Sequence, residues 1–301
     1  MIVITGASGL LGRAVFERFT QSYQGKQKVL GTAFSRSSDT LVKLDLTDYT
    51  KLEEFIVLNS PSIVIHCAAE RRPDVAAKDE EGTLRLNVEA TKKLGELSTK
   101  YSFYLVYIST DYVFDGTEPP YEPSDKPNPL NFYGKSKYHG ELALQEYPNT
   151  LILRVPILYG RVTDNSESAV NLLIDVIKGQ KAGLMDHFQS RFPTNVSDVA
   201  LALNKIKLRN EIITGIHHFS AKERMTKYDM CRIFGDILNI PISHLTPITE
   251  APKDPIATRP NDCQLSTLKL ESLGIRICLT LGVSIDCVSF RVWFTEYLKN
   301  P

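Results

Sequence analysis

No apolar run in the sequence approaches the ~18–20 residues that cross a bilayer, so no membrane partner is expected. Charge of one sign is also missing: 35 Lys+Arg stand against 35 Asp+Glu, a formal net charge of zero. A nucleic-acid binder ordinarily carries a basic excess against phosphate, so none is expected as a partner. Cysteines are few: Cys67, Cys231, Cys263, Cys278 and Cys287 are scattered, odd in number and include no Cys-x-x-Cys. That usage suits reduced thiols and argues against a disulfide framework or a zinc site. His217 and His218 are adjacent on a strand-like run and face opposite ways, and the other four histidines lack ligand spacing. No metal is therefore expected. Met1 runs straight into Ile2-Val3-Ile4 with no basic region ahead of it, which predicts a cytoplasmic chain without a leader. What is present is a neutral globular composition, 43% hydrophobic and 23% charged over 301 residues, enough for a sizeable core in one large domain or two small ones.

The N-terminal half alternates two periodicities. Apolar, β-branched runs at Ile2–Thr5, Val29–Phe34, Ser62–His66, Phe103–Ser109 and Leu151–Val155 read as strands buried on both faces. Between them, Asp48–Leu58 (with Thr47 as its N-cap), Glu80–Lys100 and Asn131–Glu146 carry helical spacing. Alternation at this interval predicts an α/β fold: a Rossmann-type doubly wound parallel sheet with a smaller C-terminal substrate or partner region. The division expected is a cofactor-binding part over 1–155, completed by parts of 190–225, and an interleaved region over 156–301. In the latter, Ser166–Lys178, Thr226–Leu238 and Cys287–Leu298 read as helices, Gly215–Ser220 as a strand and Arg191-Phe192-Pro193 as loop. The apolar face of Cys287–Leu298, with Val288, Phe290, Trp293 and Phe294, is core or a docking face. Asp115–Leu130 holds five of the sixteen prolines and is read as a crossover loop or a rim over a site at the strand ends.

Gly6-Ala7-Ser8-Gly9-Leu10-Leu11-Gly12 follows the first strand and opens a helix. Glycines there allow the tight turn, close approach of backbone to a pyrophosphate and close helix–strand packing, with the anion at the helix N-terminus. The G-x-x-G-x-x-G spacing resembles the fingerprint of extended short-chain dehydrogenases/reductases. Cofactor choice follows from the second strand, which ends Thr32-Ala33-Phe34-Ser35-Arg36 with a guanidinium and no carboxylate. A ribose 2′-hydroxyl would call for an acid there, whereas Arg36, assisted by Arg13, suits a 2′-phosphate and hence NADP. Asp45 stands where such folds contact the adenine.

Tyr133-Gly134-Lys135-Ser136-Lys137 holds the one Tyr-x-x-x-Lys of the chain, placing phenol and ammonium one helical turn apart. A free phenol titrates near 10, and a neighbouring cation would draw it toward neutrality for proton transfer to a carbonyl. Thr110 ends the strand before it, where ligands of doubly wound sheets sit, and can hydrogen-bond that carbonyl.

The glycine turn, His66-Cys67-Ala68-Ala69, Asn87, the run from Tyr107 to Gly116, Tyr133, Lys137 and Arg259-Pro260 resemble the dTDP-4-dehydrorhamnose reductase branch of that family. The resemblance implies Thr110, Tyr133 and Lys137 as the catalytic set. It also implies Leu46, Cys67, Ala68, Ala69 and Asn87, with Ser8, Leu10 and Leu11 of the turn, as cofactor contacts. A narrower match runs from about Ile2 to Leu273. Cys67 to Val75, Val155 to Gly160, Met185-Asp186-His187, Arg191 to Thr194, Met225 to Tyr228 and Ser243 to Thr249 resemble the regulatory β subunits of methionine adenosyltransferase. That resemblance implies NADP binding and a methionine adenosyltransferase catalytic subunit as partner. Glu70, Arg71 and Arg72 depart from the sugar-nucleotide reductases. Together with Arg191 and Arg259 they are rim candidates; the four arginines suit a phosphate or carboxylate, as of a nucleotide-sugar ligand, or else form structural ion pairs. Three functions stay open: a regulatory subunit, an NADPH-dependent reductase of a 4-keto sugar nucleotide, and a cofactor-sensing module without turnover.

Overall fold

Short runs of aliphatic residues, buried on both faces, form the middle of the molecule. In the computed structural model, which describes residues 1–36, 39–251, 255–275 and 287–299, they begin with Ile2–Thr5 (β1), Val29–Ala33 (β2) and Leu41–Lys43 (β3). Ile63–His66 (β4), Tyr104–Thr110 (β5) and Thr150–Val155 (β6) follow. Later come Leu158–Tyr159 (β7), Gly183–Asp186 (β8), Thr194–Asn195 (β9), Gly215–His218 (β10) and Leu245–Ile248 (β11). Seven of these form one parallel sheet in the order β10-β6-β5-β4-β1-β2-β3. This is the doubly wound Rossmann-type arrangement that the alternation predicts. The order reverses between β1 and β4, so the crevice beyond the carboxyl ends of these two strands is the natural ligand position. Thr5 and His66 are register partners there, and the Thr5 hydroxyl lies 2.7 Å from His66 Nδ1. Burial pulls the His66 imidazole down to about 3, so it is a neutral tie between strands.

Alternate residues of β1 serve opposite faces. Ile2 and Ile4 pack with Val15 and Phe19 of Leu10–Tyr23 (α1) and, from the other half of the chain, with Val199 and Leu203. Val3 packs with Leu52 and Ile56 of Tyr49–Asn59 (α2), and with Leu94 and Leu97. The remaining helices are Pro73–Ala76 (α3), Glu80–Leu84 (α4), Ala90–Lys100 (α5), Phe132–Ala143 (α6), Leu172–Gly179 (α7), Val196–Lys207 (α8), Lys227–Leu238 (α9), Leu268–Ser272 (α10) and Phe290–Lys299 (α11). A separate apolar cluster joins Tyr159, Ile174, Ile177, Phe234, Phe290 and Phe294. Phe290 and Phe294 are thus core. No described helix is long and apolar enough to cross a membrane.

Several expectations are corrected by local chemistry. The helix expected over Glu80–Lys100 is interrupted by a π turn, Arg85–Glu89. One extra residue in that turn aims the buried Asn87 amide at Glu70, accepting from its N–H at 2.9 Å and donating to its carbonyl at 2.9 Å. The N-cap of α2 is Asp48, which accepts from Lys51 N at 3.1 Å, while the Thr47 hydroxyl donates to Asp45 at 2.8 Å. The helix expected from Ser166 starts only at Leu172. Ser168 Oγ donates to the Leu158 carbonyl at 2.9 Å and accepts from Val170 N and Asn171 N, which holds Asn165–Glu167 as a separate 3₁₀ turn. The proline-rich Asp115–Leu130 contributes nothing to the main cleft and pairs with the distant 264–266 segment through Tyr121. None of the four described cysteines is in a disulfide, and Cys278 lies outside the described residues.

Candidate functional site

A cleft of about 700 Å³ opens over the carboxyl ends of β1, β2, β4, β5 and β6. Its floor is the glycine turn. Gly6 adopts φ +66°, and a Cβ there would lie 2.8 Å from Ala68 Cα; a Cβ on Gly12 would lie 2.2 Å from the Gly6 carbonyl oxygen. Only glycine allows the strand to turn, α1 to begin and β4's extension to pass so closely. Ser8, Gly9, Leu10 and Leu11 line this floor, and Cys67, Ala68 and Ala69 the wall beside it. Burial pushes the Cys67 thiol up to about 12, which makes it an inert wall residue.

At one end of the cleft lie Arg36, Asp45 and Leu46. Arg13 stands outside the lining but is brought to Arg36 by an acid that sequence reasoning missed. Glu167 Oε2 accepts from Arg13 Nη2 at 2.6 Å, and its Oε1 accepts from Arg36 Nη1 at 2.7 Å. The Thr163 hydroxyl donates to Oε1 at 2.9 Å, and Arg71 Nη2 donates to the Glu167 carbonyl at 2.6 Å. No sequence signal marks Glu167, because its arginine partners lie far away along the chain.

At the other end, Thr110, Asp111, Tyr112, Tyr133 and Lys137 face the same space. Asn131 caps α6 by accepting from Gly134 N at 2.9 Å, which sets Tyr133 in the first turn and Lys137 in the second. The Thr110 hydroxyl faces the same space as the phenol, and it accepts from Tyr112 N at 3.2 Å. The electrostatics differ from expectation. Burial pushes the Tyr133 phenol above its ordinary value, and the groups drawing it down are Thr110 and Arg71 rather than Lys137. Lys137 lies 3.9 Å from the Tyr107 ring centroid, and burial pulls its ammonium down to about 7 despite Glu141 nearby. A partly discharged ammonium is a weaker aid to a phenolate than a full cation. Asp111 was also missed; burial pushes its carboxyl up to about 7, against the pull of Arg191, and Thr110 donates to it at 3.1 Å.

The rim candidates divide. Arg71, Arg191 and Arg259 line the cleft, whereas Glu70 and Arg72 do not; Asn87, expected as a cofactor contact, is also absent from the lining. Glu70 and Arg72 close on each other at 2.7 Å, and Asn87 also donates to Ser136 at 3.0 Å, tying the π turn to α6. Arg191 donates to the carbonyls of Ser190 and Pro260, and Arg259 pairs with Asp74 at 2.7 Å. Lys227, unmarked by any motif, joins them in the lining; burial and these two guanidiniums lower its ammonium. Among the described residues no His, Cys, Asp and Glu side chains converge as a metal site.

Comparison with known proteins accords with this geometry. The RmlD substrate binding domain family matches residues 1–279. Methionine adenosyltransferase 2 subunit beta of Xenopus tropicalis is 45% identical over 278 residues, covering 91% of this chain and 82% of that protein. A dTDP-4-dehydrorhamnose reductase of Aggregatibacter actinomycetemcomitans is 29% identical, covering 91% and 94%. Among solved structures, the dTDP-4-dehydrorhamnose reductase of Bacillus anthracis in complex with NADP shares the fold at a TM-score of 0.84 and 24% identity, covering 100% of this chain and 99% of that one. The chain belongs to the RmlD substrate-binding-domain family and, within it, to the family of methionine adenosyltransferase β subunits.

Proposed function

We propose that this chain is an NADP-binding regulatory subunit that docks on the catalytic subunit of methionine adenosyltransferase and modulates S-adenosylmethionine synthesis. Kinship with β subunits along nearly the whole chain carries this reading. The residues fit the dinucleotide: the turn at Gly6 to Gly12 is a cradle that a Cβ would fill, and Arg36 lines the end of the cleft that β2 reaches, with Arg13 joined to it through Glu167. In this reading the cofactor half comprises 1–155 with parts of 190–225, and the rest of 156–301 serves substrate or partner. Pull-down of the catalytic subunit from native cytosol, with and without NADP, tests the proposal. A chain that neither retains that subunit nor changes its kinetics sinks it.

A second reading, an NADPH-dependent reductase of a 4-keto sugar nucleotide, is favoured by one observation: Thr110, Tyr133 and Lys137 all face the cleft. NADPH bound there would supply a hydride. Tyr133, kept protonated by burial, would hold the proton destined for a carbonyl oxygen, and Thr110 would orient that oxygen. Lys137 would contribute partial positive charge one helical turn away. NADPH oxidation with dTDP-4-dehydrorhamnose decides between turnover and none, and a Tyr133→Phe protein with undiminished oxidation removes this mechanism.

A further inference from the structure

Arg13 and Arg36, the two cations assigned to a 2′-phosphate, already share an anion. The Glu167 carboxylate bridges them with one oxygen each, and its side chain is only 9% exposed. Its oxygens meet the guanidiniums at 2.6 and 2.7 Å, distances that charge-assisted bonds to phosphate also adopt. The Thr163 hydroxyl and the Arg71 bond to the Glu167 carbonyl hold the 3₁₀ turn across this end of the cleft, so the carboxylate is built in. Ser168 and Ala169, the next two residues, are themselves cleft wall.

We propose that Glu167 is a specificity-determining residue, a resident anion that competes with the cofactor's 2′-phosphate for Arg13 and Arg36 and so limits discrimination between 2′-phosphorylated and plain adenine nucleotides. The proposal rests on the NADP reading. A phosphate entering between the guanidiniums displaces a carboxylate bond or takes their remaining N–H groups against the repulsion of the carboxylate's like charge, whereas a ligand without a 2′-phosphate leaves the bridge intact. Glu167 thus weakens one ligand class and leaves the other nearly untouched.

Calorimetric titration of the full chain with 2′,5′-ADP and with 5′-ADP tests this, in wild type and in Glu167→Gln, which keeps the shape and removes the charge. Affinity for 2′,5′-ADP is expected to rise about ten-fold, the equivalent of one charge-assisted bond at a partly exposed site, while that for 5′-ADP stays within about two-fold. Thr163→Val, which loosens the carboxylate without removing it, should shift 2′,5′-ADP the same way by less and serves if Glu167→Gln fails to fold. Unchanged or weaker 2′,5′-ADP binding in both variants, with wild type still preferring it over 5′-ADP, overturns the competition and makes Glu167 a scaffold for the arginines; the NADP reading then survives. Equal binding of the two nucleotides by wild type and variants removes the 2′-phosphate assignment itself, and this proposal with it.

Discussion

Replacing Glu141 by glutamine should lower the melting temperature by roughly 5–8 °C. Glu141 on α6 meets Arg154 on β6 with two bonds, Arg154 Nε to Oε1 at 2.9 Å and Nη2 to Oε2 at 2.6 Å. The side chains are 2% and 1% exposed, and the Ser109 hydroxyl donates to Oε1 at 2.5 Å. Glutamine keeps the volume but leaves the guanidinium without a counter-charge. Its other polar neighbour, His218, cannot supply one, since an imidazole is neutral or cationic, and burial and the Arg154 charge hold this one neutral. Breaking one side of a buried pair costs about 3–5 kcal/mol. An unfolding entropy typical of this chain length converts each kcal/mol into about 1.6 °C. By contrast, Asp236→Asn at the exposed Arg291–Asp236 pair, 51% and 63% exposed, should cost about 0.5 kcal/mol or less. Calorimetric melts of both variants, with a Glu141→Met/Arg154→Leu double variant, give the comparison. The double variant should be more stable than Glu141→Gln, because both desolvated charges are gone. A Glu141→Gln protein melting within about 1 °C of wild type would refute the assigned cost of the unpaired guanidinium.

Gly12→Ala forces a Cβ to 2.2 Å from the Gly6 carbonyl; it should abolish detectable NADP binding in calorimetry and cost about 1–3 kcal/mol in denaturant unfolding. Asp111, whose carboxyl is raised to about 7 in the fold, contributes stability that is complete below its ordinary pKa and is lost as pH rises through 7. Asp111→Asn should therefore gain on wild type between pH 5 and pH 8 in thermal melts, and an identical difference at both values would count against burial as the cause. Asp48→Ala, which removes the α2 cap, should cost about 1 kcal/mol in urea unfolding, and Thr47→Ala should leave that cap in place.

The cofactor end was the most legible part, because its demands are local. A turn too tight for side chains must be glycine, and a cap such as Asn131 must stand next to the helix it starts. What escaped depends on distance or on number. Glu167 acquires meaning only when residues 131 and 154 positions away fold onto it. The π turn at Arg85–Glu89 differs from its neighbours by a single residue, too little to disturb the apolar period around it. The charge states of Tyr133 and Lys137 follow from burial depth, which spacing does not encode. α8 is different, since Val196, Val199, Ala200 and Leu203 carry the helical period and Asn195 caps it. Its signal was available, masked by the loss of strand–helix regularity after Pro156.

The last strand of the large sheet, β10, bears on how the chain is made. β6 is complete once residue 155 leaves the ribosome, yet its outer neighbour begins only at residue 215. During synthesis at typical rates, the apolar Thr150–Val155 strand presents a raw edge for roughly 3–12 s before Gly215–His218 emerges to cover it. Nascent-chain complexes stalled in that window are where chaperone capture should be greatest, and release past residue 218 should end it.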